Sequence, residues 1–346
     1  MDIEKIRPVI VGSGYIASQH VGALAELGIR PVAVWSPNTQ HAAAAAARWE
    51  CAAAADLAGA LDAPDATHVH VCATPMQHEE IVLQAAARGL AVICEKPLAP
   101  TLQSAKRMGE AVRSNNVVSY LTFNRRMDSG VQMLRDAISN GTIGKPVTVF
   151  GSYRQQWNAS PSSRDWRFDP AQVGPSRVIT EIGSHWLDLA EFVLGRPLQA
   201  VHAFVTSMGE RSFDTGTEQG RFTPENEDVF SAQLRFADGV VGHVYGTELA
   251  HGTFDDIELQ IDGTLRSAVW SSDTPNQLVI AHKEEGIRIS GQPFPTTSIS
   301  SCIAAIYGGN AEALGVATFA EGARNAAAMD AIRASAALGR WAELES

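Results

Sequence analysis

Positive charge is scarce in this chain: 27 Lys and Arg stand against 38 Asp and Glu, a formal net charge of −11. That balance argues against nucleic acid or an anionic membrane as partner, since both favour a basic face. It leaves a local site for an anionic small molecule open. Cysteine is sparse as well. Cys51, Cys72, Cys94 and Cys302 show no C-x-x-C spacing, which argues against zinc. Cys72 and Cys94 end apolar runs and read as buried, reduced thiols. No apolar run is long enough to span a bilayer, and Met1-Asp2-Ile3-Glu4-Lys5 lacks the basic-then-apolar order of a signal peptide. A cytoplasmic protein fits these absences. His20, His68, His70, His202 and His243 have no ligand spacing, so no metal is assigned.

What is present is ordinary core-forming material, 45% hydrophobic residues in a chain of 346, long enough for two domains. From Ile6 to about Thr122, short apolar runs alternate with helical stretches. Strands are expected at Ile6–Val11, Pro31–Trp35, Thr67–Ala73, Ala91–Cys94 and Val117–Thr122, and helices at Tyr15–Leu27, Thr39–Trp49, His78–Arg88 and Leu102–Ser114. Alternation at this spacing predicts a doubly wound parallel sheet of the Rossmann type over residues 1–123. Beyond Asn124 the texture changes. Helices are expected at Ser129–Ser139, Gly183–Leu194 and Ala320–Leu338, with a strand at Pro146–Tyr153. Val229–Phe236 alternates polar with apolar residues, Asp238-Gly239 turns it into Val240–Glu248, and Asp262-Gly263 is expected to turn again after Ile257–Ile261. Residues 124–346 therefore read as an α/β substrate-binding domain with an open, mostly antiparallel sheet. The free sheet face offers a surface for a homodimer or homotetramer, and the polar stretch Glu210–Asp228 reads as a long loop and a candidate lid.

The first chemistry-bearing motif is Gly12-Ser13-Gly14-Tyr15-Ile16-Ala17, between the first strand and the first helix. Gly12 permits the tight turn, and Gly14 lets backbone approach a pyrophosphate at the helix N-terminus. Ala17 keeps the third position small. The end of the second strand selects between NAD and NADP, and Trp35-Ser36-Pro37-Asn38 supplies neither acid nor arginine there. With no acid to repel a 2′-phosphate, the choice stays open, with a tilt toward NADP. The second motif, Glu95-Lys96-Pro97, ends the strand Ala91–Cys94, where ligands bind in doubly wound sheets. It predicts a lysine directed at the reactive end of the dinucleotide.

These motifs, together with Thr74-Pro75 and His78, the helix Glu181-Ile182-Gly183-Ser184-His185, Phe123-Asn124-Arg125-Arg126, Asp165-Trp166-Arg167 and Gly339-Arg340-Trp341, make the chain similar to the Gfo/Idh/MocA oxidoreductases over almost its whole length. The resemblance implies a Rossmann domain, a second α/β domain and an active site in the cleft between them. It implies that Thr74, Pro75 and His78 lie along the cofactor, with Glu95 and Lys96 near the nicotinamide and its ribose. A cis Lys96–Pro97 peptide would aim the lysine inward, and X–Pro is the bond at which cis costs little. Asn124 and Arg126 are placed at the substrate by the same resemblance.

Glu181 and His185 are four apart, so a helix presents them on one face. The family pattern implied is acid-x-x-x-His with aspartate as the usual acid; glutamate here is a departure that moves the carboxylate by one methylene. His185 is the expected proton acceptor in alcohol oxidation. Glu181 either binds substrate or orients His185 or Lys96. Trp157, Trp166, Arg154, Arg164, Arg167 and Arg177 crowd one stretch, and ring faces beside hydrogen-bonding forks suit a polyol. Trp157, Arg164, Trp166 and Arg167 are taken as substrate residues. The expectation is a dehydrogenase using NAD or NADP on a sugar, cyclitol or related polyol. Two alternatives remain: a dinucleotide-binding regulator on the same scaffold, and a redox-neutral glycosidase-like enzyme that holds NAD.

Overall fold

The computed structural model describes residues 3–162, 164–214, 218–293 and 297–344. The chain packs into two compact units, Met1–Met127 with Pro295–Ala323 and Asp128–Phe294 with Arg324–Ser346. The sequence pattern suggests a single cut between 123 and 124; the return of 295–323 to the first unit leaves no local trace in it.

The first unit runs β1 (Pro8–Val11), α1 (Tyr15–Glu26), β2 (Ala33–Trp35), α2 (Thr39–Trp49), β3 (Ala52–Ala53), α3 (Leu57–Leu61), β4 (His68–Val71), α4 (His78–Ala87), β5 (Ala91–Cys94), α5 (Leu102–Ser114) and β6 (Ser119–Leu121). Its six-stranded sheet has the order β3-β2-β1-β4-β5-β6, and every pair is parallel. Val9, Ile10, Val11, Val69 and Val71 are fully buried, as continuous apolar strands covered on both faces should be. Strand order reverses between β1 and β4, and that switch point opens a crevice at the strand C-termini beside the glycine turn. The expected strands and helices are all present. The additions, β3 and α3, are too short to leave a periodic signal.

In the second unit, α6 (Ser129–Ser139), β7 (Pro146–Arg154), α7 (Pro170–Val173) and α8 (Ser184–Leu194) precede β8 (Leu198–Thr206), β9 (Arg211–Asp214), β10 (Gln219–Phe222), β11 (Val229–Phe236), β12 (Val241–Thr247), β13 (Asp256–Gly263), β14 (Ser267–Ser271), β15 (Gln277–His282) and β16 (Gly286–Gly291). The chain then runs through α9 (Ser298–Tyr307) and α10 (Ala311–Leu314), which belong to the first unit, into α11 (Phe319–Leu338), most of which belongs to the second, and β17 (Ala342–Glu343). The nine-stranded sheet has the order β16-β15-β14-β13-β7-β12-β11-β8-β17. Its pairs are antiparallel except β7 with β12. Helices α6 and α8 cover one face, over Val149, Ile257, Leu259, Ile261 and Trp270. Helix α9 returns to the first unit and packs on α1. Among the described residues, no helix is long and apolar enough to cross a membrane.

Three expectations need correction. The stretch Glu210–Asp228 holds a hairpin, β9 paired with β10, where a loop was expected; Phe213, Phe222 and Phe168 pack ring on ring beneath it. Residues 215–217 of that stretch lie outside the described residues. Asp262 and Gly263 are strand residues, paired with Ser267 and Pro146 respectively, so the turn falls after them. The helix expected from Gly183 begins earlier, as a π-turn over Ile179–Gly183 that runs into α8.

Candidate active site

In the first unit, Gly12 sits at φ +119°, and a Cβ there would stand 2.3 Å from the carbonyl oxygen of Cys72. No other residue fits that position. Gly14 differs: its φ is −82°, it is exposed, and a Cβ would meet nothing within 4 Å. Packing therefore does not require glycine at 14, while a ligand lying on the backbone does. Gly14 is also the N-cap of α1 and makes no side-chain cap hydrogen bond, whereas Asn38, Asp56 and Thr101 cap α2, α3 and α5. The first-turn amides of α1 are left for an anion. Ala17 is fully buried behind them, Ile16 is half-buried and Tyr15 is 80% exposed. The arrangement fits a dinucleotide pyrophosphate. Gly12→Ala is expected to destabilise the fold by about 2 kcal/mol or more, read as a lowered melting temperature. Gly14→Val should leave melting unchanged and weaken NADH binding by about tenfold or more, read by fluorescence titration.

Ser36 follows β2 and is nearly buried, and Asn38 two residues on accepts the His41 amide as the cap of α2. Thr74 is half-buried, donating to Gln77 Oε1 at 3.1 Å, and Pro75 opens a short 3-10 turn. His78 is placed otherwise than expected. It is fully buried, with Nε2 3.1 Å from the Ala73 carbonyl and Nδ1 3.0 Å from that of Pro97. Burial pulls this ring below the ordinary imidazole value in spite of the facing carbonyls. It ties the Ala73 and Pro97 loops together and has no free edge for a cofactor. Glu95 is also buried, turned into the unit toward His20 and Thr122. Lys96 is half-buried, and the Lys96–Pro97 peptide is cis. Asn124 is half-buried on a 3-10 turn. Arg126 on that turn is 2% exposed and donates to the Gly315 carbonyl and to Glu321. Its guanidinium is committed inside the first unit, so it is withdrawn as a substrate residue.

The second unit gathers a different set. Glu181, on the π-turn, accepts from Arg167 Nε at 3.1 Å. Arg167 also pairs with Asp165 at 3.2 Å and lies 4.4 Å from the ring centre of Trp166 and 5.6 Å from that of Trp157. Burial works against the guanidinium charge, but Glu181 and Asp165 more than offset it. Trp157 and Trp166 are exposed. His185 opens α8 and is 8% exposed, its ring edge-on to Tyr153 at 6.0 Å. Tyr153 went unnoticed in the sequence, although the alternation of β7 turns it inward. Asp188 is buried on the same helix.

Arg164 stands apart, 4.0 Å over the Phe213 ring of the hairpin. Arg154 and Arg177 are both held in ion pairs. Arg154 pairs with Asp256, and Arg177, fully buried, pairs with Asp228 and Glu248. Arg211, equally buried, joins Asp228 at 2.6 Å and donates to the carbonyls of Asn158 and Ser160. Both guanidiniums stack on Phe168. This ion cluster braces the segment that carries Trp157, Trp166 and Arg167. Among the described residues, no group of three or more His, Cys, Asp and Glu could hold a metal.

Comparison with known proteins agrees with both halves. Residues 6–123 match the model described as "Oxidoreductase family, NAD-binding Rossmann fold", and residues 131–269 match the GFO/IDH/MocA C-terminal domain. The chain is 32% identical over 298 residues to levoglucosan dehydrogenase of Pseudarthrobacter phenanthrenivorans, covering 79% of this chain and 75% of that one. It is 30% identical over 245 residues to 1,5-anhydro-D-fructose reductase of Ensifer adhaerens, covering 68% and 67%. Among solved structures, levoglucosan dehydrogenase in complex with NADH and L-sorbose superposes with a TM-score of 0.88 at 28% identity, covering 99% of each chain. The chain therefore belongs to the Gfo/Idh/MocA family of oxidoreductases.

Proposed function

We propose that the protein transfers hydride between a nicotinamide and a secondary alcohol or hemiacetal carbon of a sugar, cyclitol or related polyol. The observation that carries this reading is the cluster Trp157, Trp166, Arg167 and Glu181 in a chain whose relatives are named for sugar dehydrogenation and reduction. Apolar ring faces stack on sugar C–H faces, and an Arg–Glu pair offers both a donor and an acceptor to neighbouring hydroxyls. Bound NAD supplies the hydride acceptor for alcohol oxidation. His185 takes the hydroxyl proton, Lys96 holds and polarises the reacting oxygen, and Glu181 keeps Arg167 in place against the tryptophans.

NAD is the cofactor we assign, because the NADH complex of the levoglucosan relative outweighs the tilt toward NADP. The end of β2 carries no acid, so discrimination should be shallow: NADP is expected to support kcat/KM within about a hundredfold of NAD. The test is absorbance at 340 nm with a panel of sugars, cyclitols and their ketone forms, run in both directions with both cofactors. Silence across the panel would end the reading.

We assign the cytoplasm as compartment because Cys51, Cys72, Cys94 and Cys302 are free thiols. We also assign a homodimer or homotetramer built on the open sheet face. Phe150, Phe204, Val241, Tyr245, Ile287 and Ile289 are all exposed there, an apolar set that a second copy would cover. Light scattering should return two or four times 36.9 kDa; a monomer mass at micromolar concentration would exclude it.

A further inference from the structure

A buried polar line runs through the first unit beneath Lys96. Glu95 Oε1 lies 2.9 Å from His20 Nε2 and accepts from the Thr122 hydroxyl at 2.5 Å; Oε2 accepts the Lys96 amide at 3.2 Å. His20 Nδ1 lies 2.8 Å from His70 Nδ1, and His70 Nε2 lies 2.7 Å from the Tyr307 hydroxyl. His20 and His70 are fully buried, and Tyr307 is 1% exposed. The line joins α1, β4, β5 and α9.

Hydrogen-bond counting permits two proton arrangements. An ionised carboxylate only accepts, so His20 Nε2 carries a proton, and one of the two facing Nδ1 atoms must donate. Charge decides between them. The ionisable groups packed around Glu95 and His20 are His70 on β4 and Cys72 just after it, His78 on α4, which burial holds below the ordinary imidazole value, Cys94 and Lys96 at the end of β5, and Cys302 and Tyr307 on α9. Burial pushes the three thiols and the Tyr307 phenol up and the His70 ring down, so all of these stay neutral near pH 7. Lys96 aside, His20 is the one cation available to Glu95 in that set. Burial works against a charge on its ring, and Cys72 first, then the hydrogen bond and charge of Glu95, bring it net above the ordinary imidazole value. Burial likewise pushes Glu95 up, and the hydrogen bond and charge of His20, then Thr122 and Lys96, bring it net below the ordinary carboxylate value. A buried carboxylate stripped of its counter-ion is strongly destabilised.

We propose that His20 is a positioning residue: as the buried counter-ion of Glu95 it locks the Glu95-Lys96-Pro97 turn, and through it Lys96, to the helix that begins at the dinucleotide turn. This rests on the role assigned to Lys96 above. Two readouts separate positioning from simple packing. In kinetics, His20→Gln is expected to lower kcat about tenfold or more while the NADH dissociation constant stays within about threefold. Its acid limb of kcat should move to higher pH, because Glu95 then protonates more readily. In unfolding of the cofactor-free protein, His20→Gln and Glu95→Gln should each lower the melting temperature. The double variant should lie closer to wild type than the sum of the two losses, the signature of a charge pair. Additive losses, or a folded His20→Gln enzyme with unchanged kcat and pH profile, would overturn the proposal. Wild-type inactivity on every polyol would instead overturn the function reading, and the melting cycle would still decide this one.

Discussion

Lys96→Ala and His185→Ala are each expected to lower kcat by about a hundred- to ten-thousandfold, the span that a positioned acid or base contributes. NADH affinity should change less than about threefold in either, since the cradle at Gly12 and Gly14 is built from backbone. The double variant should be little worse than the poorer single, because groups acting in one step are not additive. Stopped-flow single turnover with saturating cofactor reads the chemical step directly. His185 lies nearly buried against Tyr153, so the matching His185→Gln, which keeps most of the volume and loses the titrating nitrogen, separates proton transfer from packing. Unchanged turnover in both alanine variants would remove these residues from the mechanism.

The largest effect on stability is expected at Arg177. Its side chain is fully buried between Asp228 and Glu248. Burial pushes the Glu248 carboxyl up even with Arg177 beside it, while for Asp228 the Met208 amide and the two arginines outweigh burial and hold it down. Arg177→Met strips Glu248 of its guanidinium partner and leaves Asp228 with Arg211 alone for a cation, which costs about 3–5 kcal/mol for a buried pair broken on one side. For a unit of this size that is a fall of about 10 °C in melting temperature. Arg30→Met, at the pair with Glu50 whose side chains are 75% and 67% exposed, should be indistinguishable from wild type. A fall below about 2 °C for Arg177→Met would show that the cluster contributes no net stability. Because Arg211 holds the Asn158 and Ser160 carbonyls and both guanidiniums stack on Phe168, KM for the polyol should also rise.

The Rossmann unit was legible because its signals are local. Apolar runs of the right length mark the strands, Asn38 and Thr101 start helices at the positions expected, and the glycine turn sits where its chemistry needs it. Orientation was not legible. Nothing in the string Glu95-Lys96-Pro97 says that the glutamate turns inward to His20, a partner far away in sequence. His78 and Arg126 failed as ligand residues for the same reason: their partners at Pro97 and Glu321 are tertiary. The stretch Glu210–Asp228 read as solvent-facing because buried and exposed charges look alike in a sequence. Arg211 and Asp228 are core residues only because each finds the other. Arg167 and Glu181 were singled out separately, and their pairing needed the fold.

One pair in the large sheet carries a design consequence. Parallel neighbours cannot be joined by a tight turn, so the chain that leaves β7 at Arg154 has to make a wide excursion before it comes back alongside as β12 at Val241. Trp157, Trp166, Arg167, Glu181 and His185 all travel in that detour. On the function proposed above, editing the detour should change which polyol is turned over while the ladder joining β13, β7 and β12 keeps its register, and a cassette exchanged between Arg154 and Gly195 is the unit with which to test it.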